Sequence, residues 1–272
     1  MLRTGVPVQP NRWHLDAFQP ARLIAALGFV VLGTLAHAAD CPGNPDALGV
    51  SRVLGVNAAT TPRVGRKHFP TTLPLAEKEV VLTFDDGPWP GTTARVLDAL
   101  RRECVKATFF LIGKNAAGAP ALARREQAEG HTIGYHTWSH PLLDRRPLAA
   151  AQADIDRGMA AVDAALDGKA SKTSAAPFFR FPGFASTPAL LDRLAARGIV
   201  VFGADLWASD WNRMTPDQEL RLVLARLDES QGGIVLFHDT KTATAAMLPA
   251  FLRALQARAY RVVHVVPAPP GR

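Results

Sequence analysis

The sequence of 272 residues contains only two cysteines, Cys41 and Cys104, so no more than one disulfide can form within the chain. Such a bond would tie the amino-terminal part of the mature chain to its body, and oxidising compartments permit it. The alternative is two free thiols, with Cys104 buried at the end of a helix. The cysteine count leaves both alternatives open.

Clustered basic charge is also missing, although the formal net charge is +7 and the isoelectric point is near 9.9. The arginine pairs at 101–102, 124–125 and 145–146 are scattered, and no basic stripe carries interleaved aromatic residues. Nucleic acid is therefore not expected as a partner. Internal repeats and low-complexity tracts are absent as well, and the length suits one large domain or two small ones.

The apolar run near the amino terminus, Leu23–Leu35, is thirteen residues long. A membrane span needs ~20 residues, so this run is too short and has the length of a signal-peptide core. The small-x-small pattern Ala36-His37-Ala38 follows it, as at signal-peptidase sites. The sequence therefore predicts a signal peptide over residues 1–38 and an exported protein, periplasmic or secreted. A retained anchor is the alternative, and only then would the membrane be a partner.

The rest of the chain divides into three parts. Residues 39–77 are rich in Pro, Gly, Ala and Thr and predict an irregular lead-in, and residues 267–272 predict a tail. Over residues 78–266 short apolar strands alternate with amphipathic helices, which indicates a parallel sheet in a barrel or a doubly wound layer. In both architectures functional residues gather where the strands end. The predicted strands are Val80–Phe84, Ala107–Ile112, Thr132–Gly134, Phe178–Phe181, Ile199–Phe202, Ile234–Phe237 and Arg261–Val266.

Two adjacent carboxylates, Asp85 and Asp86, follow the first of these strands. Like charges so close together resist joint ionisation unless a cation intervenes. His136 and His140, four residues apart, follow a later strand, and with one carboxylate they can form a three-ligand metal site with open positions. Zinc suits such a site, and cobalt or nickel would also fit it. The second carboxylate is then free to act as a base.

Further polar residues lie at the end of predicted strands or after them. The guanidinium of Arg180 could hold a carboxylate ionised and oriented. His238 titrates nearest neutrality and could donate a proton, and Asp210 could hold its imidazole in one tautomer. Trp207 and Trp211 are either core aromatics or walls of a sugar-binding cleft. An iron oxygenase also uses two histidines and one carboxylate, but it has no need of this additional set.

These residues fall into five motifs that resemble, in order and spacing, those of the polysaccharide deacetylases, the NodB-homology domains of carbohydrate esterase family 4. The resemblance covers residues 78–266 and implies an α/β fold, a distorted (β/α) barrel of seven or eight strands. It also implies a metal-dependent hydrolase that removes N-acetyl groups from N-acetylglucosamine-containing peptidoglycan, chitin-like or exopolysaccharide chains and releases acetate; a monomer is expected. The motifs are Thr83-Phe84-Asp85-Asp86-Gly87, His136-Thr137-x-x-His140, Arg180-x-Pro182, Asp210-Trp211 and Leu236-x-His238.

The resemblance also implies a role for individual residues. Asp85 corresponds to the catalytic base, and Arg180 corresponds to the arginine that pairs with it. His238 corresponds to the general acid, and Asp210 to the aspartate that tunes it. The implied metal ligands are Asp86, His136 and His140.

The implied substrate pocket has one departure from the family pattern. Leu236 and Trp211 correspond to the residues that line the pocket for the acetyl methyl group. The backbone N–H of Gly183, after Pro182, would stabilise the oxyanion. Family members often have an aromatic residue and then glycine after this proline, whereas here Phe184 follows Gly183. The aromatic wall of the cleft is therefore expected to be displaced.

Two other functions are compatible with the same motifs. Removal of O-acetyl groups from an acetylated polysaccharide would use the same chemistry on an ester. A catalytically inactive, glycan-binding homologue would keep the fold but lose the base or the acid. Asp85 and His238 are both present, which favours an enzyme.

Overall fold

The computed structural model describes residues 41–167 and 175–269 of the chain. The predicted signal peptide over residues 1–38 lies outside these ranges, as does the end of the predicted tail. No helix in the described ranges has both the length and the apolar character needed to cross a membrane. The strands are β1 (Arg52–Val56), β2 (Arg63–Val64), β3 (Glu79–Asp85), β4 (Thr108–Leu111), β5 (Thr132–Tyr135), β6 (Phe178–Phe179), β7 (Val200–Phe202), β8 (Leu206–Trp207), β9 (Gly233–His238) and β10 (Arg261–Pro267).

Helices connect most of these strands, and several begin as their sequences predict. Pro120, Pro188 and Pro216 each occupy a first turn, where the missing N–H costs nothing. The side chain of Thr215 caps one helix and forms a reciprocal capping box with Gln218. The helices are α1 (Thr93–Arg102), α2 (Gly113–Gly118), α3 (Pro120–Ala128), α4 (Leu148–Asp167), α5 (Pro188–Ala196), α6 (Pro216–Ser230) and α7 (Thr242–Ala257), with short 3-10 turns at Leu143–Arg145 and Pro182–Phe184.

All strand pairings among the described residues are parallel. One series of neighbouring strands runs β8-β9-β3-β4-β5-β6-β7-β2. Strand β10 lies outside this series and pairs with the first two residues of β3, and β1 pairs with the other edge of β10. No ladder joins β2 to β8 among these strands, so the barrel is open there. The predicted distorted (β/α) barrel is therefore confirmed: eight strands form the barrel series, and β10 and β1 extend the sheet outside it.

Strand β3 separates two apolar layers. Successive side chains of a strand point to opposite faces. Leu82 and Phe84 belong to the layer that includes side chains of the surrounding helices, where Phe84 stacks at 5.1 Å on Phe109 and at 5.5 Å on Phe237. Val81 belongs to a second layer, inside the barrel. The alternation places Asp85 on the inner face at the end of the strand.

The prediction of an irregular lead-in over residues 39–77 is wrong for two short segments, β1 and β2. Strand β1 lies at an edge and alternates half-exposed with exposed side chains, so its sequence has no buried apolar run. Arg52 anchors it through bonds of 2.9 and 2.6 Å to the carboxylate of Glu79 in β3. Strand β8 was also missed, because two residues are too short for a periodic signal. Farther upstream, Cys41 and Cys104 form a disulfide that ties the lead-in to the end of α1.

Candidate active site

The carboxyl ends of the strands surround a cavity of about 450 Å³. It is the place where the sequence predicts a functional site, and nearly all the candidate residues meet there. Arg180, Asp210 and Pro182 are buried behind its wall, in contact with residues that line it or next to them. The lining residues are Asp85, Asp86, His136, His140, Phe181, Gly183, Phe184, Trp207, Trp211, Leu236, His238 and Lys241.

Asp85 and Asp86 face the same cavity although they are neighbours in sequence. Asp85 is the last residue of β3, and Asp86 leaves the strand with φ at +77°, in the left-handed region that only a supported turn sustains. The Asn115 amide donates a 2.7 Å bond to the backbone oxygen of Asp86. The next residue must be glycine, because a Cβ at Gly87 would lie 2.2 Å from Oδ2 of Asp239. Because of this turn, the side chain of Asp86 reaches the same cavity as that of Asp85 instead of the opposite face of the sheet. The two carboxylates nevertheless have different partners.

Asp85 is paired with a cation. Its Oδ1 accepts a 2.7 Å bond from Nη1 of Arg180, whose side chain is completely buried. The same guanidinium donates to Thr83 Oγ1 at 2.8 Å and to the Gly203 carbonyl at 2.8 Å, and it lies over the ring of Phe110 at 4.4 Å. This pairing orients the Asp85 side chain and leaves its Oδ2 on the side of the cavity, 3.8 Å from Nε2 of His136.

Asp86, His136 and His140 form the one group in the described ranges that is arranged to hold a metal ion, with one ligand atom from each lying within 4.8 Å of the others. Oδ1 of Asp86 lies 3.5 Å from Nε2 of His136 and 3.2 Å from Nε2 of His140. That oxygen is buried and accepts no hydrogen bond in the described part of the chain. An orphaned carboxylate oxygen facing two imidazole nitrogens fits a divalent cation.

The protonation states also suit a metal. Nδ1 of His136 lies 2.7 Å from the carbonyl oxygen of Arg180, which only accepts, so Nδ1 carries the proton and Nε2 presents its lone pair. Burial and the neighbouring His136 lower the pKa of His140, which keeps that imidazole neutral. Burial alone would raise the pKa of Asp86, but the neighbouring imidazoles of His136, His238 and His140 outweigh it and hold the pKa well below its usual range.

The loop that carries His136 and His140 is held by α4, which the sequence did not indicate. Asp154 accepts bonds from the backbone N–H of Trp138 at 2.9 Å and of Ser139 at 3.2 Å. The helix approaches closely at Gly158, where a Cβ would lie 2.2 Å from the carbonyl carbon of Thr137. The positions of the two histidines therefore depend on contacts of their loop with α4, a helix that follows them in the chain.

His238 faces the group of Asp86, His136 and His140 from the other side of the cavity. Its Nδ1 lies 2.7 Å from Oδ1 of Asp210, its backbone N–H donates to Asp210 Oδ2 at 2.6 Å, and its Nε2 lies 4.0 Å from Oδ2 of Asp86. Burial lowers the pKa of His238, but the hydrogen bond to Asp210 and the charges of Asp210, Asp85 and Asp86 raise it to about 9. The imidazole is therefore poised to carry a proton on Nε2.

Comparison with known proteins agrees with this geometry. A family model described as polysaccharide deacetylase matches residues 73–202. A chitooligosaccharide deacetylase of Bradyrhizobium is 36% identical over 162 residues, which cover 60% of this chain and 71% of that protein. The chain belongs to the polysaccharide deacetylase family.

Two further relatives extend the match toward the carboxyl end. A peptidoglycan-N-acetylglucosamine deacetylase of Listeria monocytogenes is 30% identical over 231 residues, covering 82% of this chain and 47% of the relative. The solved structure of a Bdellovibrio bacteriovorus peptidoglycan deacetylase superposes with a TM-score of 0.71 at 32% identity, covering 80% of this chain and 59% of that one. The chain thus spans about half the length of these two relatives.

An aromatic wall closes one side of the cavity. Phe184 lines the cavity with φ at +57° and stacks on His68, with ring centroids 3.6 Å apart. His68 comes from the lead-in and had no predicted partner. Trp207 and Trp211 continue the wall, 6.0 Å apart. Lys241, which also lines the cavity, was missed because nothing in the sequence around it is distinctive.

Proposed function

We propose that this protein is a metal-dependent hydrolase that removes N-acetyl groups from an N-acetylglucosamine-containing glycan and releases acetate. The observation that carries the proposal is the separation of the adjacent carboxylates. Asp85 is bound to Arg180, whereas Asp86 faces His136 and His140 with an unpartnered oxygen. One carboxylate is thereby available as a base and the other as a ligand.

A divalent ion, zinc in the first place and cobalt or nickel as alternatives, would be held by Asp86, His136 and His140 and would act as a Lewis acid toward the acetyl carbonyl and water. Asp85 would accept the proton of the attacking water through Oδ2, because Arg180 occupies Oδ1.

The opposite side of the cavity would serve the leaving group. His238 would give its Nε2 proton to the departing amine, and Asp210 holds the imidazole for this purpose through Nδ1. The backbone N–H of Gly183 would stabilise the oxyanion that forms on the acetyl oxygen. Leu236 and Trp211, both in the wall, would surround the acetyl methyl group.

Peptidoglycan and chitooligosaccharides are the substrates to test first, since relatives named for both resemble this chain. The protein would act outside the cytoplasm, after export by the segment at residues 1–38. Acetate release from both glycans and from O-acetylated xylan would be measured with and without a chelator, followed by addition of zinc, cobalt or nickel.

Asp85→Asn should lower acetate release by about a thousandfold, because it removes the base but keeps the shape. Asp217→Asn is the matched control, since Asp217 is an exposed acid in α6. Release that persists in Asp85→Asn and in chelator would overturn the proposal. Release from O-acetylated xylan alone would replace the amide by an ester as the substrate.

A further inference from the structure

His238 and Asp210 form the acid side of the site, and this side continues beyond Asp210 into the space between α6 and α7. Thr244, in the first turn of α7, places its hydroxyl oxygen 2.9 Å from Oδ2 of Asp210. The same oxygen lies 2.8 Å from Oε1 of Glu219 in α6. Thr244 and Glu219 are both completely buried. A row of carboxyl, hydroxyl and carboxyl groups therefore leads from Glu219 to His238.

The two short contacts of Thr244 require two protons, and a threonine hydroxyl supplies only one. Asp210 is the acceptor in this row, because it already receives the Nδ1–H and the backbone N–H of His238. The Thr244 proton therefore points to Asp210. The contact between Thr244 and Glu219 can then be a hydrogen bond only if Glu219 supplies the proton.

The surroundings of Glu219 favour the same state. Its Oε2 is buried and has no hydrogen-bond partner among the described residues. A carboxylate in that position would leave a charged oxygen unsolvated, whereas the carbonyl oxygen of a protonated acid loses far less. The ionisable groups that act on Glu219 are Asp210 and His238; burial and the charge of Asp210 raise its pKa to about 7.

We propose that Glu219 is a positioning residue for the acid side of the site: as a neutral carboxylic acid it donates to Thr244, and so directs the Thr244 hydroxyl to donate to Asp210. This inference rests on the proposed role of His238 as proton donor. A carboxylate that accepts three hydrogen bonds attracts the imidazolium proton less strongly than one that accepts two. His238 then releases its Nε2 proton more readily to the leaving amine, and no proton leaves Glu219.

The protonation state can be tested apart from activity. Infrared difference spectra of the metal-loaded protein, wild type minus Glu219→Gln, would be recorded at about pH 6, below the pKa of the group. A carbonyl band of a protonated carboxyl should be lost in Glu219→Gln and kept in Asp217→Asn, which changes an exposed acid of the same helix. A difference spectrum with carboxylate bands alone would overturn the proposal.

Kinetics test the positioning. Glu219→Gln retains an N–H that can donate to Thr244, so its kcat should stay within about twofold of wild type, and its alkaline decline should begin at higher pH. Glu219→Leu and Thr244→Val should each lower kcat by roughly tenfold with KM unchanged, the factor for one hydrogen bond to a charged group.

Two kinetic results would overturn the inference. Equal loss in Glu219→Gln and Glu219→Leu would show that the negative charge is needed, and full activity in a folded Glu219→Leu would show that the row does not position His238. A wild-type protein that releases no acetate would refute the proposed function instead, and the infrared result would still decide the state of Glu219.

Discussion

The two sides of the candidate site differ in the kind of charged group that holds the reacting side chain. On the base side, Asp85 is paired with the permanently charged Arg180, and the guanidinium is satisfied by Thr83 and backbone carbonyls. On the acid side, His238 is paired with Asp210, behind which lie a hydroxyl and a buried acid. The base side depends on an arginine, which does not titrate near neutral pH, whereas the acid side is a chain of titratable groups. One side is held by a fixed cation, and the other can be adjusted by protonation.

The largest change should come from removing the fixed cation. Arg180→Leu leaves Asp85 buried without its counter-charge, and breaking a buried ion pair in this way costs about 3–5 kcal/mol of unfolding free energy. Chemical denaturation measures this loss. Arg63→Leu is the control, because its ion pair with Asp192 is exposed. Equal stability of Arg180→Leu and wild type would show that the buried pair does not hold the base side.

A smaller effect is expected on the acid side, and mainly on activity. Asp210→Asn keeps the shape of the side chain but removes the charge that holds the His238 imidazolium, so kcat should fall by about a hundredfold. Steady-state kinetics with unfolding curves on the same samples separate catalysis from stability. An unchanged kcat in Asp210→Asn would remove the acid side from the mechanism.

The titratable chain should also make stability depend on pH. The pKa of His238 is about 9 in the folded protein against 6.5 as its ordinary value, so its contribution is complete below pH 6.5 and is lost as pH rises through about 9. Glu219, raised from 4.5 to about 7, acts in the same direction at lower pH. Together the two shifts should cost the metal-free protein about 4 kcal/mol of unfolding free energy between about pH 6 and about pH 9.

Denaturation curves of chelated protein across this pH range measure the loss. His238→Gln should flatten its upper part, whereas Arg63→Leu should leave the slope unchanged, because arginine does not titrate there. A slope equal in wild type and His238→Gln would place the pH dependence elsewhere in the molecule.

The smallest effect concerns a hydroxyl on the base side. Thr83 donates to the Val235 carbonyl at 2.8 Å and accepts from Arg180, so Thr83→Val leaves one guanidinium N–H and one carbonyl without these partners. We expect a loss of about 1–2 kcal/mol in unfolding free energy and little change in the pH dependence. Thr244→Val, its counterpart on the acid side, should instead lower kcat. A lower kcat in Thr83→Val together with a lower stability alone in Thr244→Val would contradict the contrast between the two sides.

Much of the site was predictable because parallel strands end at one edge of a sheet. Four site residues lie at the end of a recognisable apolar strand or directly after it: Asp85, His136, Arg180 and His238. Their meeting at one cavity is a consequence of the fold class. The five motifs added the family and the fold, both of which the comparisons confirm. The catalytic and metal-binding roles of these residues remain predictions.

Other parts had no signal in the sequence. Glu219 and Thr244 lie in amphipathic helices, where a polar residue usually indicates a solvent-facing position, and only the packing of α6 on α7 buries them together. His68 and β1 belong to a segment without periodicity, and they acquire a role by stacking on Phe184 and by pairing with β10. Local sequence carries no information about which distant element will cover it.

The sequence by itself determined the alternation of strands and helices, the position of the chemistry-bearing residues at strand ends, and the family. These properties depend on local periodicity and on residue types at fixed spacing. The tertiary structure decided the division between Asp85 and Asp86, which the left-handed turn at Asp86 makes possible. It also decided the row from Glu219 to His238, because the proton count of a buried contact depends on distances between elements far apart in the chain.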